Sequence, residues 1–210
     1  MSGVNSSKLL TLLAVLIPAV ALGACTVTPP SRPLTDAAWK AREQALSKLD
    51  NWTLTGRIGV TTESEGWHGT LLWSQQERDY AIDIVGPLGQ GRVVVQGNDD
   101  GVRVRTADGE YTATDPEQLL AETTGLRIPL RGLFYWVRGL PKPDVASVLS
   151  GDNQGHLARL EQEGWVIDYP SYVPVAMGTT VLDLPDRINA RQNGLQVKLV
   201  IREWNLSPPT

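Results

Sequence analysis

From Trp52 onward the chain settles into a period of two, and that period limits its fold more than any other feature. Trp52, Leu54, Gly56, Ile58 and Val60 alternate with Thr53, Thr55, Arg57 and Gly59. That is the signature of a strand with one buried and one solvated face. After a polar turn at 62–66, Trp67, Gly69, Leu71 and Trp73 alternate with His68, Thr70 and Ser74. Tyr80, Ile82 and Ile84 share a third strand with Asp83. Val93 and Val95 lie opposite Arg92 and Gln96, and Val102 and Val104 opposite Arg103 and Arg105. Tyr111 and Ala113 follow an Asp108-Gly109 turn. Six short-turned strands of this kind specify an antiparallel meander.

Helical periods flank and interrupt the meander. Before it, Ala37, Ala38, Trp39, Ala41, Ala45, Leu46 and Leu49 form an apolar stripe that opens at Thr35 or Asp36 and stops at Asp50-Asn51. After it, Thr114-Asp115-Pro116-Glu117-Gln118 combines a side-chain cap, a first-turn proline and an acid at the positive end of the helix dipole. Gly125 stops that helix. Leu130, Leu133, Phe134 and Val137 mark a second one, ending at Gly139-Leu140-Pro141. Strands resume at 157–162, turn at Glu163-Gly164 and continue through Trp165, Ile167 and Tyr169. The chain closes with Ile188, Ala190, an Asn193-Gly194 hairpin turn, and Leu195, Val197, Leu199 and Ile201. Stretches 142–155 and 170–180 follow no recognisable pattern. About nine to eleven strands exceed what a flat twisted sheet holds without curling. The expected fold is therefore mainly β (α+β): a strongly curved antiparallel sheet with a helical lid over its concave side, preceded by an N-terminal helix.

The first 25 residues carry a different message. Lys8 precedes an apolar run, Leu9 to Leu22, broken only by Thr11 and Pro18. This is the charged, apolar, small-residue order of a signal peptide, and it falls short of the roughly 20 residues a membrane span requires. Leu22-Gly23-Ala24-Cys25 resembles the lipobox of bacterial lipoproteins, in which the cysteine thiol is diacylglycerylated, the signal is removed and the new amine is acylated. A plain signal peptide with an incidental cysteine is the alternative, but Cys25 is the only cysteine of the 210 residues. The expected organisation is a lipoprotein signal peptide at 1–24, an acylated N-terminus and Pro-rich tether at 25–34, and one folded domain at 35–210. Pro29, Pro30 and Pro33 make the tether semi-rigid, at about 3 Å per residue.

Charge and composition narrow the function. Nineteen basic and 23 acidic side chains give a net charge of −4, and removing Lys8 with the signal makes the remainder more acidic still. Nucleic-acid binding requires a basic footprint, and adsorption to anionic lipid requires basic clusters, so membrane contact is expected from acyl chains. Removing 24 of 210 residues leaves 186, enough for one domain with a real core. With the cysteine acylated, neither disulfides nor thiolate chemistry remain. Stability must come from burial, to which seven tryptophans contribute.

No catalytic or metal constellation stands out. His68 and His156 have no second ligand at metal spacing and are expected to be solvated. The acidic pairs Asp99-Asp100 and Glu161/Glu163 sit in polar, turn-like contexts. There is no His-Glu-x-x-His, Gly-x-Ser-x-Gly or Walker motif, so no enzyme activity, cofactor or metal is expected. The glycine-rich Gly86-Pro87-Leu88-Gly89-Gln90-Gly91 lies between two strands, whereas a phosphate loop opens a helix. It reads as a hairpin loop with one odd residue. Leu88 either folds back onto the sheet or is held out as an apolar tip for a membrane or partner. Burying one leucine is worth about 1.5–3 kcal/mol, enough to orient a tethered domain but not to anchor it.

Several segments together resemble the LolB family of outer-membrane lipoprotein receptors of Gram-negative bacteria. They are Trp52-x-Leu54-x-Gly56-Arg57, the strand Trp67 to Trp73, the Pro87-Leu88-Gly89 tip, Asp115-x-Glu117-x-Leu119-Leu120 with Thr124-Gly125, Ile128-Pro129-Leu130, Trp136-Val137-Arg138-Gly139-Leu140-Pro141, and Val200-Ile201-x-x-Trp204. The resemblance runs from about residue 36 to the C-terminus. It implies an unclosed antiparallel β-barrel with a helical lid over a hydrophobic cavity. The implied function is to accept acylated lipoproteins from the periplasmic carrier LolA and insert them into the outer membrane without ATP. It further implies a periplasm-facing protein on the cell outer membrane, lipid-anchored at Cys25, with Pro87, Leu88 and Gly89 as the membrane-insertion loop, and a monomer is expected. Thr26 is not the aspartate associated with inner-membrane retention. The candidate acyl-chain lining is Trp52, Leu54, Trp67, Leu71, Trp73, Tyr80 and Ile82 with Leu133, Phe134 and Val137 of the lid, a set that an ordinary filled core would also produce. The alternative function is a lipoprotein scaffold or adaptor of an outer-membrane assembly machine.

Overall fold

The computed structural model describes residues 34, 36–89, 91–125 and 128–206. Cys25, the signal segment and the tether to residue 33 lie outside them. The order of elements is α1 (Asp36–Ser47), β1 (Asn51–Thr61), β2 (Gly66–Gln76), β3 (Asp79–Val85), β4 (Val93–Gly97), β5 (Val102–Arg105), β6 (Glu110–Ala113), α2 (Pro116–Thr124), α3 (Leu130–Trp136), β7 (Ser147–Gly151), β8 (Leu157–Gln162), β9 (Trp165–Met177), β10 (Thr180–Gln192) and β11 (Leu195–Leu206). All eleven strands join one antiparallel sheet, ordered β6-β5-β4-β3-β2-β1-β11-β10-β9-β8-β7.

Consecutive strands pair with each other everywhere except between β6 and β7. β11 returns to pair with β1 at the centre of the sheet, from Trp52 opposite Leu206 to Thr61 opposite Gln196. β6 and β7, consecutive in the chain, form the two free edges. The barrel is thus unclosed, and the chain crosses its open side as α2 and α3. Both edge strands are short, and β6 places Glu110 against Arg103 and Arg105. Short, charged edges limit pairing with other chains.

The six strands of the meander and all three helices fall where the apolar periods place them. Asp115 caps α2, its carboxylate accepting from the Glu117 and Gln118 backbone N–H groups, and Gly125 ends it in the left-handed region. Two findings differ from the expectation. Residues 147–151, without an apparent pattern, form the edge strand β7. Residues 170–177 continue β9 without a break, opposite a β10 that starts at Thr180. The pairing of β9 with β8 ends at Asp168 and that of β10 with β11 begins only at Arg187. Pro170, Pro174 and Pro185 therefore lie in a two-stranded ribbon, where a missing N–H costs no ladder bond on the open side.

The core lies between the concave face and the helices. Trp52, Leu54, Ile58, Val60, Leu71, Trp73, Ile82, Val95 and Val104 are buried from one half-sheet, and Leu157, Leu160, Ile167, Leu184, Ile188, Val197 and Leu199 from the other. α1 contributes Trp39 and Leu46 and stacks Arg42 over the Tyr172 ring of the ribbon, 5.0 Å from its centroid. His156, expected to be solvated, is buried instead. Its ring stacks on Tyr172 at 4.5 Å and lies between the carboxylates of Asp152 (3.1 Å) and Asp183 (3.2 Å). His68 faces outward and is exposed.

Candidate functional site: an aromatic concave face under a helical lid

α3 is short, and its residues reach both halves of the sheet. Phe134 sits edge-on between Tyr80 (4.8 Å) and Trp73 (5.4 Å) of β3 and β2. Trp73 in turn contacts Trp52 at 5.3 Å, and Trp52 contacts Trp204 of β11 at 5.4 Å. Edge-to-face pairs of this kind each add about 0.5–1.5 kcal/mol beyond burial. On the other side, Trp136 is fully buried against Trp165 at 6.0 Å. Its indole N–H donates to Gln162 Oε1 at 2.9 Å, and its carbonyl accepts from the Tyr169 hydroxyl at 3.0 Å.

Gln162 is the main polar pin of the lid. It is buried, its Oε1 also accepts from Lys142 N, and its Nε2 donates to the Lys142 and Val145 carbonyls. Arg138 is the other. Its guanidinium donates to the Leu46 carbonyl in the last turn of α1, to the Leu49 carbonyl just after it, and to the Phe134 carbonyl of α3. Burial lowers its pKa while Tyr135 and Asp50 oppose the shift. A buried cation there is tolerated because carbonyl oxygens at helix C-termini receive it.

The ten candidate lining residues all lie on the concave face or on α3 and its C-cap residue Val137. Trp52, Leu54, Leu71, Trp73, Tyr80, Ile82, Leu133 and Val137 are buried; Trp67 and Phe134 are half-buried. A cavity of about 690 Å³, in the range of small-molecule sites, opens at one end of the barrel, and three of the ten line it: Trp52, Tyr80 and Phe134. Deeper in, the concave face and the lid pack against each other. The cavity's rim carries both charges, including Asp50, Glu77, Asp99, Arg131 and Lys142. Burial pushes the Tyr80 hydroxyl up to about 12, against a lowering effect of Arg131. Sequence periodicity points to the aromatic wall; apart from Arg131 of α3, the charged rim comes from turns and loops, which carry no period to read. One signal was available, since Gln75 continues the inward register of Leu71 and Trp73.

Leu88 stands at the opposite end. It follows β3, whose first residues border the cavity, so the tip and the cavity mouth are separated by roughly 20 Å of strand. The Pro87–Gly89 turn leaves Leu88 98% exposed, in the left-handed region at φ 56°. Of the two readings open from the sequence, the held-out tip describes this conformation.

Comparison with known proteins agrees with this architecture. Residues 50–204 match the family model of outer membrane lipoprotein LolB. The chain belongs to the LolB family. A curated relative named outer-membrane lipoprotein LolB from Stutzerimonas stutzeri (strain A1501) is 37% identical over 191 residues, covering 89% of this chain and 91% of the relative. One of the same name from Pseudomonas aeruginosa (strain UCBPP-PA14) is 41% identical over 167 residues, covering 79% and 80%. Among solved structures, a LolA superfamily protein from Nitrosomonas europaea has a TM-score of 0.53 at 9% identity, covering 82% of this chain and 94% of that one. A DUF1329 family protein from Desulfovibrio piger has a TM-score of 0.53 at 8% identity, covering 83% and 93%. At such identities the likeness concerns the fold alone, so the LolB assignment rests on the sequence matches, and the unclosed barrel is a fold that other chains also adopt.

Proposed function

We propose that this chain is an outer-membrane lipoprotein receptor that accepts acylated lipoproteins from the periplasmic carrier LolA, covers their acyl chains, and inserts them into the inner leaflet of the outer membrane. The observation that carries the reading is an apolar, tryptophan-rich concave face under a two-helix lid in a chain of the LolB family. A mature lipoprotein has about three acyl chains, and at ~0.8 kcal/mol per CH₂ their exposure to water costs tens of kcal/mol. A carrier and a receptor must therefore each supply an apolar cover. The protein acts as a receptor and not as an enzyme, and transfer runs downhill in affinity, tenfold for each ~1.4 kcal/mol.

In this reading the acyl chains enter past Trp52, Tyr80 and Phe134 and line up along Leu54, Trp67, Leu71, Trp73 and Ile82 as Leu133, Phe134 and Val137 of the lid yield. Cys25 is the acylated anchor, residues 1–24 are the removed signal, and 25–34 form the tether of a monomeric domain that runs to residue 210. The protein's own acyl chains occupy the bilayer and leave the cavity free for those of the cargo. Pro87 and Gly89 present Leu88 to the membrane at the end of the barrel away from the cavity mouth. The scaffold alternative needs no lipid-accepting interior.

The test is photo-crosslinking. A photoreactive residue at position 82 or 134 is expected to label the acyl chains of a lipoprotein delivered by LolA, and one at Leu72, which faces outward, is expected not to. Labelling from position 72 alone would overturn the cavity reading and favour the scaffold. A Cys25→Ala protein is expected to be released from membranes and still accept lipoprotein.

A further inference from the structure

Seven buried side-chain polar atoms have no hydrogen-bond partner among the described residues, and four of them gather on one patch of the concave face: Trp52 Nε1, Trp73 Nε1, Gln75 Oε1 and Tyr80 OH. Trp52, Gln75 and Tyr80 are direct cross-strand neighbours on β1, β2 and β3, about 5 Å apart at each step. Trp73 is one pleat further along β2, its ring against those of Trp52 and Phe134. Trp52, Gln75 and Tyr80 all line the 690 Å³ cavity. Trp52, Trp73 and Tyr80 are each more than nine-tenths buried.

Buried donors and acceptors are normally paired, and an unpaired group is costly. Other indoles of this protein follow the rule: Trp136 donates to Gln162 and Trp204 to the Pro185 carbonyl. An apolar lining would be served as well by phenylalanine, yet the chain has seven tryptophans and one phenylalanine. The patch therefore holds three donors and one acceptor at the inner wall of the cavity, with the Tyr80 hydroxyl lying over Gly97 of β4 and Trp73 packed behind Trp52.

We propose that Trp52, Trp73, Gln75 and Tyr80 form a recognition site for the linkage atoms of a lipid-modified cysteine: the Trp73 and Tyr80 donors take the ester carbonyls, and the neighbouring Trp52 and Gln75 take the amide carbonyl and the amide N–H. The inference rests on the receptor reading and deepens it. An N-acyl, S-diacylglyceryl cysteine has two ester carbonyls, one amide carbonyl and one acyl-amide N–H, matching three donors and one acceptor. The acyl chains themselves carry no such groups, so the site measures where the chains begin. It favours cargo seated with its glyceryl-cysteine at the cavity mouth and its chains inward. Burial keeps the Tyr80 phenol protonated, and therefore a donor, throughout the physiological range.

The experiment uses the mature acylated protein in lipid nanodiscs. Two triacyl-type lipopeptides of equal chain length are compared by crosslinking-free titration of tryptophan fluorescence: one with ester-linked chains, and one in which the two esters are replaced by ethers. The wild type is expected to bind the ester form about tenfold more tightly, the scale of one or two net hydrogen bonds. Tyr80→Phe removes a single oxygen; it is expected to weaken ester binding about threefold to tenfold and leave ether binding unchanged. Trp73→Phe is expected to do the same, with an unchanged unfolding midpoint for Tyr80→Phe serving as the check on folding. Equal affinity of the wild type for both lipopeptides, or equal losses for both in the variants, would overturn the linkage site and leave the receptor reading standing. Failure to bind either lipopeptide would overturn both.

Discussion

Leu88 holds a left-handed backbone conformation that L-residues other than glycine adopt at a cost of about 1–2 kcal/mol. Nothing in the fold repays it locally, because the side chain is almost wholly exposed. Replacing it with glycine is accordingly expected to leave the unfolding midpoint unchanged or raise it, as read by thermal denaturation. Leu88→Glu is expected to preserve folding and acceptance of lipoprotein from LolA while impairing insertion into liposomes; unimpaired insertion would remove Leu88 from that step. A second residue-scale expectation concerns acid. Burial tends to raise the Asp152 pKa, but hydrogen bonds from the His156 and Gln154 backbone N–H groups and the His156 ring outweigh it and hold the carboxyl below its usual value. A depressed carboxylate stabilises the fold above its unfolded-state pKa of about 4 and ceases to do so as pH falls through its lower folded value. Thermal midpoints measured between pH 6 and 2 should therefore fall less steeply for Asp152→Asn than for the wild type. Both features tested the limits of sequence reading. Leu88 stood out because a leucine flanked by glycines is an anomaly visible in one dimension, whereas the burial of His156 depends on Asp152, Tyr172 and Asp183, brought together by three separate elements.

The lid is held by its ends. Arg138 binds the last carbonyls of α1 and α3, and Gln162 binds Trp136 and the segment after it. Gln162→Leu leaves the Trp136 indole and the Lys142 backbone without partners in a buried setting, and is expected to cost about 2–4 kcal/mol in denaturant unfolding. Gly132 shows how closely α3 is fitted: a Cβ there would lie 2.7 Å from the Trp136 ring, so the helix gives up propensity to let that indole lie across it. Of the elements, α2 and α3 were legible down to their caps because Asp115, Pro116 and Gly125 act locally. β7 and the outer parts of β9 and β10 were not. Their pattern is set by where neighbouring strands stop, and the prolines at 170 and 185 mark irregularities in pairing without breaking the strands. The concave face was legible as apolar, but its polar patch was not, since an indole reads as hydrophobic whether or not its N–H has a partner.

At the scale of the whole molecule, one seam joins two half-sheets. β1 and β11 meet at the centre, with a bulge between Thr55 and Gly56, and at Gly56 an added Cβ would run into the Val200 carbonyl. A clash with backbone at the seam has no flexible neighbour to absorb it, so Gly56→Ala is expected to cost more than about 3 kcal/mol and to lower the midpoint for both half-sheets together, as seen by tryptophan fluorescence and far-ultraviolet dichroism in one transition. The seam also fixes an order of arrival. The strand that completes the middle of the sheet is the last in chain order among the described residues, so the sheet of β1–β6 and that of β7–β10 stay unjoined until residues 195–206 are present. Contacts of such long sequence separation form late and slowly. A chain with this wiring keeps its two half-sheets as loose halves until β11 is seated, and only then does the fold lock.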